Sequence, residues 1–106
     1  MTAGPEREFH NRMIDLYKDA KAIGYNAVRF LRMVNEHGGV STARLLLGTS
    51  SVSEGYTALW ERGRLDLTVE AVILEPRWSQ LFSDEQRSVA IDRLQDYGYQ
   101  GELPPL

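Results

Sequence analysis

Apolar residues recur every three or four positions along most of this chain, and glycine or proline stands where that rhythm breaks. Phe9, Met13, Leu16, Tyr17 and Ala20 draw a single stripe, the signature of a helix with one buried face. Pro5 suits a first helical position, Glu6 and Glu8 complement the positive end of the helix dipole, and Lys18 and Lys21 its negative end. Gly24 can take the left-handed conformation that stops a helix, so the spacing predicts a helix over 5–23. In the second helix Asn26 is the expected N-cap. Ala27, Phe30, Leu31 and Val34 form its inner stripe, widened by Val28 and Met33, and His37-Gly38-Gly39 ends it.

Residues 40–47 predict a short third helix, apolar nearly all round except at Arg44 and therefore buried on most sides. Residues 48–55 form a loop, and Ser53 caps a fourth helix to Arg62 with Tyr56, Leu59 and Trp60 inward. Asp66 or Thr68 caps a fifth through Leu74. Its β-branched residues would also suit a strand, but its cap and the lack of a partner strand favour a helix. Pro76 ends it, and Trp78, Leu81 and Phe82 form a single turn that plugs the core. Ser83 with Gln86 makes a capping box for a sixth helix along Val89, Ala90, Arg93, Leu94 and Tyr97. The expected fold is all-α, a compact orthogonal or bundle-like array of about six short to medium helices with no sheet. It occupies residues 5–99, between a flexible segment 1–4 and a frayed tail 100–106.

Composition narrows the chemistry more than the fold. A chain of 106 residues is one domain and can bury about 65% of its unfolded surface without a metal or disulfide. It has no cysteine, which removes disulfides, thiolate metal sites and thiol nucleophiles. The start of the chain shows no apolar leader, and no apolar run approaches the ~20 residues of a membrane span. The expected location is the cytoplasm, with no membrane partner. The net charge of −3 gives no general pull toward nucleic acid. It is unevenly spread, however. Residues 1–47 carry seven Lys and Arg against five Asp and Glu, whereas residues 48–106 carry five against ten.

No catalytic or cofactor motif stands out: there is no phosphate loop, nucleophile elbow or helical metal-binding His pair. His37 could serve as a base or ligand but reads better as a last-turn residue at a helix C-terminus, and His10 is expected to face solvent. Asp66 and Glu70, four apart, could share a helix face for acid–base work, yet capping and first-turn preferences account for both. Ser50, Ser51 and Ser53 read as loop and cap. No cofactor and no metal is expected, and the chain reads as non-enzymatic.

Two binding surfaces remain. Trp78, Arg64 and Arg62 are the candidate partner-binding residues, because Trp and Arg are enriched at interface hot spots. Trp78, with polar neighbours on both sides, is expected to be partly exposed. Trp60 is expected in the core, with Arg64 stacked on it. The alternative is a nucleic-acid face of Arg29, Arg32 and Arg44 on the second and third helices. That face could equally be a solvated one, with Arg32 paired to Glu36.

The block Gly55-Tyr56-Thr57-Ala58-Leu59-Trp60-Glu61-Arg62-Gly63-Arg64-Leu65-Asp66-Leu67-Thr68-Val69-Glu70-Ala71 resembles a small bacterial family of hypothetical proteins. Arg29-Phe30-Leu31, His37-Gly38-Gly39, Leu81-Phe82 and Arg93-Leu94 fit it too, so the resemblance covers roughly residues 15–99. It implies a bacterial source and a self-contained fold, and it carries no assigned activity or functional residue. The resulting expectation is an intracellular protein-interaction module, an accessory or adaptor protein acting on a protein partner or on a second copy of itself.

Overall fold

The computed structural model describes residues 4–104. Among the described residues there are six α-helices: α1 (Gly4–Ala22), α2 (Val28–His37), α3 (Gly39–Leu47), α4 (Glu54–Glu61), α5 (Val69–Ile73) and α6 (Asp84–Asp96). Two 3-10 turns, Leu65–Leu67 and Pro76–Trp78, flank α5, and the described residues contain no strand. The all-α array is therefore shown. The expected flexible segment 1–4 lies outside the described residues except for Gly4, which opens α1. The expected tail follows α6 without helix, but Leu103 packs back against the core, and residues 105–106 are outside the description.

Helix α1 is the spine. Its stripe of Phe9, Met13, Leu16 and Ala20 is buried, and it packs on α3 and α2, while α6 closes the far side against α5 and α3. Phe9 meets the rings of Trp78 and Phe82 edge-on, each at 5.2 Å between centroids, the geometry that aromatic quadrupoles favour. The radius of gyration is 12.9 Å, against the roughly 13 Å expected for one compact domain of this length.

The α2–α3 corner depends on two glycines. Gly38 takes φ of 86° and donates to the Val34 carbonyl at 2.8 Å, a conformation that L side chains rarely adopt. Gly39 lets α3 approach α1: a Cβ there would lie 2.6 Å from His10 Cα. His10 is not the solvent-facing residue the sequence led us to expect. It is half-buried, and its Nδ1 accepts from the Gly39 N–H at 3.0 Å, so α1 supplies a cap for the start of α3. Gly39→Ala is expected to cost about 1–3 kcal/mol by prising these helices apart. Urea denaturation measures it, and an unchanged midpoint would remove the close approach from the account.

One helix start differs from expectation, and another is decided between its two expected caps. Asn26 does not cap α2. The chain enters through Ala27 with no side-chain cap, and Asn26 Oδ1 instead accepts from the Tyr17 hydroxyl at 2.6 Å. Thr68, not Asp66, caps α5, its hydroxyl accepting from the Ala71 N–H at 3.2 Å. Asp66 belongs to the preceding 3-10 turn. The predicted Ser53 cap and the Ser83–Gln86 capping box are both present.

The tryptophans exchange their expected roles. Trp78 is 1% exposed and Trp60 45% exposed. The Pro76–Trp78 turn throws Trp78 inward, where its Nε1 donates to Glu75 Oε1 at 2.8 Å. Arg77 covers the indole from the polar side, 4.3 Å from the ring centroid. Trp60 lies edge-on to Tyr97 at 5.3 Å and leaves its other side in solvent.

Candidate functional site

Helix α2 is strongly amphipathic but only partly covered. Val34 is its one fully buried residue, Phe30, Leu31 and Met33 are half-buried, and Val28 is 49% exposed. The space beneath that face is a cleft of about 590 Å³ between α1, α2, α4 and the start of α5. Leu16 and Ala20 of α1, Phe30 and Met33 of α2 and Leu59 of α4 make apolar walls. These residues face the same cleft because the i, i+3, i+4 stripe of each helix turns toward it.

The rim is polar. On one side the Tyr17–Asn26 hydrogen bond ties α1 to the chain entering α2. Across the mouth Arg29 and Glu54 approach to 3.9 Å, both more than four-fifths exposed, a pair that water screens strongly. Tyr25, also at the rim, carries the Arg62 guanidinium over its ring at 5.2 Å.

Beneath the cleft lie the buried charges of the described residues. Glu70 of α5 and Arg93 of α6 form an ion pair at 2.9 Å, with side chains 4% and 11% exposed. Arg93 Nη1 also donates to the Leu46 carbonyl at 3.1 Å, and Nη2 to the Thr49 carbonyl at 2.7 Å and the Ser51 carbonyl at 3.4 Å. One guanidinium thus pins the α3–α4 loop to α5 and α6. Tyr56 donates from its hydroxyl to the Arg93 carbonyl at 2.8 Å. Burial pushes the Glu70 carboxyl up, against the pull of Arg93 and its own main-chain N–H, and burial pushes the Tyr56 phenol far up. The Tyr56 hydroxyl therefore remains a neutral donor at any physiological pH.

The residues predicted from sequence are dispersed. Trp78 is core, and Arg64 is not on Trp60 but holds Asp66 through two hydrogen bonds of 3.0 Å. That contact keeps the Asp66 carboxyl below its ordinary value. Asp66 and Glu70 consequently share no face, one being exposed and bound to Arg64, the other buried and bound to Arg93. Arg62 reaches the cleft rim through Tyr25. Of the arginine trio, Arg29 faces Glu54, Arg32 is exposed without forming the Glu36 pair, and Arg44 donates to the Leu81 carbonyl at 2.8 Å. His37 is exposed at the end of α2, on a shallow depression shared with His10 and Glu6. Among the described residues no group of three or more His, Asp or Glu is placed to hold a metal ion, and no helix is long and apolar enough to cross a membrane.

Sequence reasoning missed the cleft and the ion pair beneath it. A signal for the ion pair was present: Arg93 stands on the apolar stripe of α6, and Glu70 within the apolar run of α5. A charge in a buried stripe needs a partner, but the partner is 23 residues away. Comparison with family models, curated proteins and solved structures found no match to this chain, so its own residues carry the functional argument.

Proposed function

We propose that this chain is a non-enzymatic helical protein-interaction module, an accessory or adaptor domain that receives an apolar anchor of a protein partner in the α1–α2–α4 cleft. The observation that carries the reading is the half-covered apolar face of α2 above that cleft. Clefts of this size with apolar walls and a few convergent polar groups are ordinary binding sites. The titratable groups nearest to it are engaged in holding the structure, Glu70 by Arg93 and Tyr56 by a main-chain carbonyl, which favours binding over reaction. Self-association through the same face belongs to this reading. The bacterial and cytoplasmic setting is part of the proposal and rests on the family resemblance and the cysteine-free composition. The nucleic-acid alternative gains little from the geometry, because Arg44 is spent on the Leu81 carbonyl and Arg29 is balanced by Glu54.

Phe30→Glu and Met33→Glu place a carboxylate on the half-buried wall. Each is expected to cut recovery of a partner captured by the unaltered chain by about tenfold or more, with helical circular dichroism retained. Leu45→Glu, on an apolar residue that is 51% exposed and outside the cleft, is the control and is expected to change nothing. Undiminished recovery with both cleft variants would sink the assignment, as would a strictly monomeric chain that captures no specific protein.

A further inference from the structure

Helix α3 begins without a cap of its own. Gly38, which precedes it, has no side chain to offer. Among the described residues His10 is the one side chain that accepts from the main chain at the start of α3, its Nδ1 from the Gly39 N–H at 3.0 Å. The contact has no slack. A Cβ on Gly39 would lie 2.6 Å from His10 Cα and 3.3 Å from His10 Cβ, so α3 starts directly on the α1 backbone.

The direction of this hydrogen bond decides its chemistry. A neutral imidazole has one acceptor nitrogen and one N–H, whereas an imidazolium has two N–H groups and no acceptor. Nδ1 can therefore face the Gly39 N–H only in a neutral ring that carries its proton on Nε2. Protonation sets one N–H against another, and it adds a positive charge at the positive end of α3. A turn of the ring does not help, because neither nitrogen of the imidazolium can accept.

The groups around the ring do not replace the lost bond. The depression over His10 is lined by Glu6 and Arg7 from the preceding turn of α1 and by His37 from the end of α2, while α3 contributes the uncharged Gly39, Val40 and Ser41. Glu6 draws a proton toward the ring, and Arg7 and a charged His37 oppose it. No carboxylate among the described residues forms an ion pair with His10.

We propose that His10 is a proton-sensitive latch: its neutral ring holds the start of α3, and with it the α2–α3 corner, on α1, and acid releases that contact. The latch contributes fully while the ring is neutral. It is lost as pH falls through the histidine range, because the released state takes up a proton that the latched one has no place for. It does not depend on what the cleft binds.

Nitrogen-15 NMR on the unaltered protein between about pH 8 and pH 5 tests it. At the upper end the His10 ring is expected to carry its proton on Nε2. As pH falls, the Gly39 amide is expected to shift in step with that ring and to lose about tenfold of its exchange protection, after correction for the intrinsic rate. His37→Gln is expected to leave this response in place, and His10→Asn, which cannot titrate, to abolish it. A proton on Nδ1 at the upper end overturns the proposal. So does Gly39 protection that stays constant while the ring titrates, or a response that disappears with His37→Gln. Should His10→Asn fail to fold, the tautomer and the Gly39 protection of the unaltered protein still decide the matter.

Discussion

Arg93→Met is expected to destabilise the domain by about 3–5 kcal/mol, because it leaves Glu70 buried without its counter-charge. The same change frees three main-chain carbonyls, those of Leu46, Thr49 and Ser51. Burial already raises the Glu70 carboxyl in the intact protein, and without Arg93 nothing comparable opposes that rise. A group whose folded pKa exceeds its unfolded value binds more protons in the native state. Stability is then gained as pH falls through the folded value toward the ordinary carboxylate range, and lost as pH rises. The deficit of Arg93→Met relative to the unaltered chain should therefore narrow between pH 7 and pH 5. Urea denaturation at the two pH values reads it directly. An equal deficit at both would mean that the lost carbonyl contacts, not the stranded carboxylate, dominate. Replacing both partners, as Glu70→Leu with Arg93→Met, is expected to be milder than Arg93→Met alone at pH 7, since no charge is then left buried.

Trp78→Ala should cost about 3–5 kcal/mol, whereas Trp60→Ala should cost about 1 kcal/mol. Trp78 fills the space beside Phe9 and is 1% exposed, so its removal leaves a cavity that the packed helices cannot close. It also leaves Glu75 with Arg12 but without the indole N–H. Trp60 gives up one edge contact with Tyr97 and a side that water already reaches. Thermal unfolding of the two variants checks the ranking, and the reverse order would show that Trp60 is the packed tryptophan. The comparison matters for function as well, because loss of partner binding in Trp78→Ala would report unfolding and not a lost contact.

The reversal of the tryptophans shows where local reading stops. Trp78 is flanked by Pro76-Arg77 and Ser79-Gln80, and polar neighbours usually mark a surface position. The 3-10 turn sends those neighbours outward and the indole inward, and the guanidinium of Arg77 then lies over the ring. Trp60 holds a position on α4 that the apolar stripe would bury, but α4 is only eight residues long and covers its core with Tyr56 and Leu59. Arg93 was legible as a member of the α6 stripe, though not as a clamp. Its partners come from α5 and from the α3–α4 loop.

Taken by itself, the sequence determined that this protein is helical and where most of its helices stop. Those features depend on neighbours within a turn or two: the stripe of α1, the turn at Gly38, the Ser53 cap and the Ser83–Gln86 box. The tertiary structure alone decided which apolar face remains uncovered, that Gly39 brings α3 onto His10, and that Glu70 meets Arg93 beneath a cleft. The reason is physical. Caps and periodicity are set by interactions a few residues apart, whereas a cleft is the space left over when helices distant in sequence pack, and no residue carries that remainder in its own identity.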